Sequence, residues 1–219
     1  MTKKKQPDDH LEIVRHKILD TARALFVQQG YKKTTIRQIV QYSGVLTGSI
    51  YYLFRNKEDI FQALVLELMK SCIDIIEKHC AGERAVFKYA ALCMVELRAV
   101  EANELVRDTF YEGYTSKIMF EKMVEHQAGM MQKLFGSRYT EPEYYTKALL
   151  LKGAMRACVM VFYFQHPLDA AACQQELLRV MLLLFEVPDE EQKEIMQRIH
   201  RMDDYWLEIG NTLRDGLVG

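Results

Sequence analysis

Between Thr34 and Lys57 the chain reads TTIRQIVQYSGVLTGSIYYLFRNK, and its short-range signals favour two short helices joined by a tight turn. Thr34 and Thr35 both offer side-chain oxygens to free N–H groups, so either can cap a helix whose apolar face is Ile36, Ile39 and Val40. Ser43-Gly44 ends that helix, because Gly44 can take the left-handed conformation a helix terminus needs and Val45 can fold back beneath it. A second helix, Leu46 to Tyr52, is too short to be stable alone and must be held by Ile50 and Phe54 packing on its neighbours. Helix, glycine turn, helix is the helix-turn-helix layout.

The second helix opens with the small polar residues Thr47, Gly48 and Ser49 and ends with two phenols, Tyr51 and Tyr52. In a helix-turn-helix the start of the second helix meets base edges, while surrounding hydroxyls and cations meet phosphates. Gly48 costs a helix up to about 1 kcal/mol relative to Ala, a cost that makes sense where backbone must approach something closely. The bland alternative is a corner in an all-helical protein, and charge argues against it. Residues 1–60 hold 11 Lys or Arg against 6 Asp or Glu, a net of +5, whereas residues 61–219 hold 18 against 24, a net of −6. A basic head displaces the counterions condensed on DNA, and an acidic body limits indiscriminate binding.

Gly30-Tyr31, Thr34-Thr35, Ile39, Gly44-Val45, Gly48, Tyr51-Tyr52, Phe54 and Lys57 together resemble the DNA-binding domain of TetR-family (TetR/AcrR-type) regulators. The resemblance covers residues 12–72, with the helix-turn-helix motif at about 35–54. Leu53 stands where the family often carries a phosphate-contacting His, and Ser43 where Ala is common. The resemblance implies double-stranded operator DNA as a partner, with Thr34, Thr35, Arg37, Leu46, Thr47, Gly48, Ser49, Tyr51, Tyr52 and Lys57 on the DNA side.

Only 4 prolines and 11 glycines interrupt a chain that is 49% hydrophobic and dominated by helix-period runs, so the expected class is all-α: a three-helix head followed by a helical-bundle body, about nine to ten helices in all. No apolar stretch approaches the roughly 18 residues of a membrane span, and MTKKKQPDDH has no apolar segment behind its lysines, so a cytoplasmic protein without a membrane partner is expected. Five cysteines without CxxC spacing are expected to be thiols rather than metal ligands. No nucleophile–base–acid set or phosphate loop is recognisable; no catalytic residues, metal or cofactor are expected.

In chain order, residues 1–9 read as a polar arm or solvated tail, and His10 to Gln29 as a supporting helix with Leu11, Val14, Ile18, Ala22 and Leu25 on one face. Asn56 can cap a fourth helix with Asp59 three residues on; that helix runs to Cys80 with no linker between head and body. Residues 84–135 suggest three helices with soft boundaries near Asn103 and Gly113. Their Met and aromatic side chains, Phe87, Met94, Phe110, Tyr111, Tyr114, Met119, Phe120 and Met123, suit either an adaptable effector cavity or ordinary core.

From Glu143 to Gln165 a helix shows two apolar faces, one through Tyr144, Ala148, Leu151, Met155, Cys158 and Phe162, the other through Leu150, Ala154, Ala157, Val161 and Phe164. After a turn at His166-Pro167, Leu168 to Glu186 is apolar almost all round. The family resemblance implies that this pair dimerises, with Leu150, Ala154, Ala157, Val161, Leu177, Leu178 and Met181 at the interface; the alternative is a hairpin buried in one chain. After Pro188 a last helix carries Ile195, Ile199, Met202 and Trp206, and residues 210–219 are expected to fray. The sequence thus reads as a homodimeric regulator, with residues 73–219 binding an unidentified small-molecule effector. A helical enzyme or a protein-interaction adaptor would instead show no salt-dependent DNA binding.

Overall fold

The computed structural model describes residues 7–165 and 169–218, with side chains from His10 to Gln165 and from Asp169 to Thr212. Among the described residues there is no strand, and the chain forms two compact units that divide between Glu67 and Leu68.

The first unit holds α1 (Pro7–Gln29), α2 (Ile36–Ser43), α3 (Thr47–Leu53) and the first part of α4 (Lys57–His79). Its core is Ile18, Leu19, Ala22, Leu25 and Phe26 of α1, Ile39 of α2, Ile50 and Phe54 at α3, and Ile60, Phe61 and Leu64 of α4. Leu11 and Val14, expected on the same face of α1, are half-buried. Asn56 Oδ1 accepts from the Asp59 N–H at 2.8 Å, and Asp59 Oδ2 accepts from the Arg55 N–H at 3.0 Å, which fixes where α4 begins. Of the expected arm, residues 1–6 lie outside the described residues, while α1 starts at Pro7, a residue whose fixed φ suits a first helical position.

The second unit, which ends at Gly216, continues along α4 and adds α5 (Ala85–Ala102), α6 (Glu104–Thr115), α7 (Lys117–Phe135), α8 (Glu141–Met160), a 3₁₀ turn (Val161–Tyr163), α9 (Ala170–Leu184), α10 (Asp189–Arg201) and all but the end of α11 (Asp203–Val218). α5 is buried from Val86 to Leu97 apart from the half-exposed Lys88, and α6, α7, α8, α9 and α10 all pack on it. A helix apolar all round can be stable only in such a position.

Three boundaries differ from the sequence reading. α6 runs through Gly113 and ends at Ser116, whose hydroxyl caps α7 by accepting from the Met119 N–H; the hydroxyl supplies the stop that glycine does not. The last helix is two, broken at Met202 without Gly or Pro; Trp206 is fully buried and its indole N–H donates to the Ile199 carbonyl at 2.9 Å, tying α11 back onto α10. Residues 210–218 continue α11 rather than fraying, and Gly210 packs against α5, where an added Cβ would sit 3.0 Å from the Ala99 nitrogen. The turn expected at His166-Pro167 lies outside the described residues.

Candidate functional site

The support for α3 is built by local chemistry in and around α2. Thr35 takes the cap: its N–H donates to Gln38 Oε1 at 2.8 Å, and the Gln38 N–H donates to Thr35 Oγ1 at 3.3 Å, a reciprocal pair that satisfies two otherwise free donors. At the other end Gly44 has φ 61° and ψ 18°, the left-handed region that turns the chain without strain only for glycine. Ser43 Oγ accepts from the Val45 N–H at 3.3 Å, a bond that Ala at this position could not make. Ile39, Ile50 and Phe54 are buried beneath, so α3 is held from below and presents its other side outward.

That outward side carries most of the expected residues. Leu46 is 80% exposed and Tyr52 76%; Thr47, Gly48, Arg37 and Tyr51 are exposed, and Ser49 is half-buried. Two further expected residues make contacts within the head itself. Thr34 is buried, with its hydroxyl donating to the Gly30 carbonyl at 2.9 Å and accepting from Gln29 at 3.1 Å, because Thr35 and not Thr34 stands at the cap. Lys57 donates to the Tyr31 carbonyl at 2.8 Å, and its ammonium lies 4.0 Å from the Tyr31 ring centroid, so it fastens the start of α4 to the loop before α2. Tyr42, outside the expected set, is 66% exposed on α2. It stands three residues after the buried Ile39, a spacing that shares a helix face, so periodicity gave no signal of its exposure. Exposed Lys17, Lys33 and Arg55 add positive charge to the same unit.

The eight expected effector residues all lie in the second unit. Phe87, Met94, Phe110, Tyr114, Met119 and Met123 are all buried, and Tyr111 and Phe120 are half-buried; Tyr111 packs on Tyr163 with ring centroids 4.1 Å apart. Polar groups lie within this core. Lys152 of α8 donates to Glu96 of α5 at 3.0 Å, the Gln127 amide donates to the Tyr89 hydroxyl, and the buried Tyr114 hydroxyl has no hydrogen-bond partner. Burial raises the Tyr114 and Tyr89 phenol pKa values far above the ordinary tyrosine value, so both stay protonated.

A groove of about 430 Å³ runs between α4 and α7, lined by Lys70, Ile73, Asp74, Glu77, Glu125, His126, Gly129, Met130, Lys133 and Leu134. None of the eight expected effector residues lines it. His126 joins the groove to the polar core: its Nε2 is buried without a partner, and burial, followed by the charge on Lys152, lowers its pKa against the opposing pull of Glu96.

α8 separates the two faces read from the sequence. Tyr144, Ala148, Leu151, Met155 and Cys158 are buried, whereas Leu150 and Ala157 are exposed and Ala154 and Val161 half-buried. On α9 the expected interface residues Leu177, Leu178 and Met181 lie in the chain's own core, and the exposed apolar residues are Val180 and Leu183, the latter 63% exposed. A helix apolar all round gives no phase from sequence; packing against α5 and α8 chose the face. Among the described residues no three His, Cys, Asp or Glu side chains are grouped to hold a metal, and no helix is long and apolar enough to cross a membrane.

Residues 18–64 match the family described as bacterial regulatory proteins, tetR family. The chain is 43% identical over 63 residues to an HTH-type transcriptional repressor of Mycobacterium tuberculosis, covering 29% of this chain and 34% of that protein. It is 33% identical over 94 residues to the HTH-type transcriptional regulator TtgR of Pseudomonas putida, 43% of each chain. The matches thus span less than half the length of these relatives. Among solved structures, RolR in complex with its ligand resorcinol has a TM-score of 0.67 at 17% identity, over 87% of this chain and 96% of that one. TylP, a TetR regulator from Streptomyces fradiae, has a TM-score of 0.55 at 16% identity, over 89% and 93%. At these identities the likeness is one of fold, and it extends beyond the head.

Proposed function

We infer, from a head that belongs to the TetR family of bacterial regulatory proteins, that this chain is a sequence-specific DNA-binding regulator of transcription, best read as a repressor. The observation that carries the reading is the exposure of Leu46, Thr47, Gly48, Tyr51 and Tyr52 on a short helix fixed by the Thr35 cap and the Gly44 turn. In this reading Thr47, Gly48 and Ser49 approach base edges in the major groove, and Tyr42, Tyr51, Tyr52 and Arg37 contact the phosphate backbone and set the register. Such a protein works in the cytoplasm, where bacterial DNA lies.

The exposed apolar residues of α8 and α9 support a homodimer, since paired heads read an inverted repeat with half-sites about 34 Å apart per helical turn. A small-molecule effector entering by the α4–α7 groove would meet His126 and, behind it, the charges of Glu96 and Lys152. Since α4 contributes to both units, a shift of that helix is the proposed route from effector to head. Linkage then requires that operator DNA weaken effector binding by the factor by which effector weakens DNA binding.

Selection of DNA fragments by the purified full-length chain, followed by titration of the selected fragment at several salt concentrations, tests the reading. The expected result is an inverted repeat bound with an affinity that falls steeply with salt. Binding without sequence preference, or none at all, would refute it.

A further inference from the structure

Two of the five cysteines face each other across α8 and α9. The Sγ atoms of Cys158 and Cys173 are 2.9 Å apart, and the Cys158 sulfur is 3.6 Å from the Cys173 carbonyl oxygen. A disulfide has sulfurs about 2.05 Å apart, so less than about 1 Å of approach separates this pair from a bond. Cys72, Cys80 and Cys93 are buried, and among the described residues the one sulfur within hydrogen-bonding distance of Cys158 is that of Cys173. Within the pair the two environments differ: Cys158 is buried, and Cys173 is partly open to solvent. Exposure therefore makes Cys173 the sulfur that meets a small oxidant first, while burial raises the pKa of the Cys158 thiol above its ordinary value.

We propose that Cys158 and Cys173 form a reversible oxidation site, closed to an intramolecular disulfide by hydrogen peroxide. Cys173 sulfur attacks one peroxide oxygen, the O–O bond breaks, and the products are a sulfenic acid at Cys173 and water. Cys158 sulfur then attacks the sulfenic sulfur, the S–O bond breaks, and the departing hydroxide takes the Cys158 proton as a second water. Two thiols are oxidised by two electrons and one peroxide is reduced to two waters, with nothing further required. The bond ties α8 to the first turns of α9, the helices that carry the exposed apolar face, and so gives the protein an input separate from any small molecule in the α4–α7 groove.

The test uses the full-length chain, reduced, freed of reductant and exposed to hydrogen peroxide. Thiols counted after denaturation should fall from five to three, Cys72, Cys80 and Cys93, as the intact mass drops by two hydrogens. Proteolysis without reductant should yield a peptide linking Cys158 to Cys173, lost again on treatment with dithiothreitol. Cys158→Ser should stop at oxygen adducts on Cys173, and Cys173→Ser should keep its thiols at the same peroxide dose. Persistence of five thiols in the wild-type chain, a disulfide joining two chains, or a linked peptide containing any other cysteine would overturn the proposal.

Discussion

Lys152 Nζ on α8 lies 3.0 Å from Glu96 Oε2 on α5, with side-chain exposures of 0% and 3%, so a full ion pair sits at the centre of the body. Burial by itself would lower the Lys152 pKa; the attraction and hydrogen bond of Glu96 outweigh it and the value ends above its ordinary one. Because the folded-state pKa is raised, the ammonium's contribution is complete below the ordinary lysine value and is lost only as pH rises towards the higher, folded one. The ammonium's contribution is therefore insensitive to pH around neutrality.

Removing one partner strands a buried charge. Lys152→Met should destabilise the chain by about 3–5 kcal/mol, whereas Lys152→Met combined with Glu96→Leu should recover most of that loss. Urea denaturation of the single and double variants measures the difference; equal losses in both would show that the pair is not coupled.

His126 should set an acid-side stability change. Its pKa is depressed by burial and by Lys152, so the unfolded chain binds more protons than the folded one as pH falls through the ordinary imidazole value of 6.5. Stability therefore falls as pH drops through that value and levels off below the folded pKa. His126→Asn should flatten this part of the thermal-midpoint profile between about pH 7.5 and pH 5. An unchanged slope would place the titration elsewhere.

Gly44→Ala isolates the turn. An added Cβ would lie 3.9 Å from Lys17 Nζ, an ordinary contact, so the cost is conformational: about 1 kcal/mol or more for a residue forced to φ 61°. Thermal unfolding of the variant should show the loss, and operator affinity should fall with it.

Lys57→Ala should destabilise the head through loss of the Tyr31 contacts, detectable by hydrogen exchange in the loop before α2. Arg37→Ala should leave exchange unchanged and lower the salt slope of DNA binding by about one. A reversal of these two outcomes would return Lys57 to the phosphate-contacting set.

Leu150→Glu and Leu183→Glu place charge on the exposed apolar face and should give folded monomers by sedimentation. Leu178→Glu should instead unfold the chain, because Leu178 is in its core. A folded, monomeric Leu178→Glu variant would show that α9 is turned the other way.

What the sequence determined by itself is what neighbouring residues decide. Thr35 with Gln38, Asn56 with Asp59, and Ser43-Gly44 specify helix ends through bonds and dihedrals spanning four residues or fewer, and the structure places those ends where the sequence has them. The two faces of α8 were legible because its apolar residues fall on two phases of one period. Tertiary structure decided the rest. Which of Thr34 and Thr35 would cap depended on packing under α1, and the partner of Lys57 lies 26 residues earlier in the chain. α9 and the Met- and aromatic-rich helices α5 to α7 are apolar on so many sides that periodicity gives no direction; only packing around α5 turned Leu178 in and Leu183 out, buried six of the eight expected effector residues, and brought Glu96 to Lys152 and Cys158 to Cys173. Burial of apolar area is non-directional, so pattern announces that a face will be covered, and the three-dimensional arrangement settles by what.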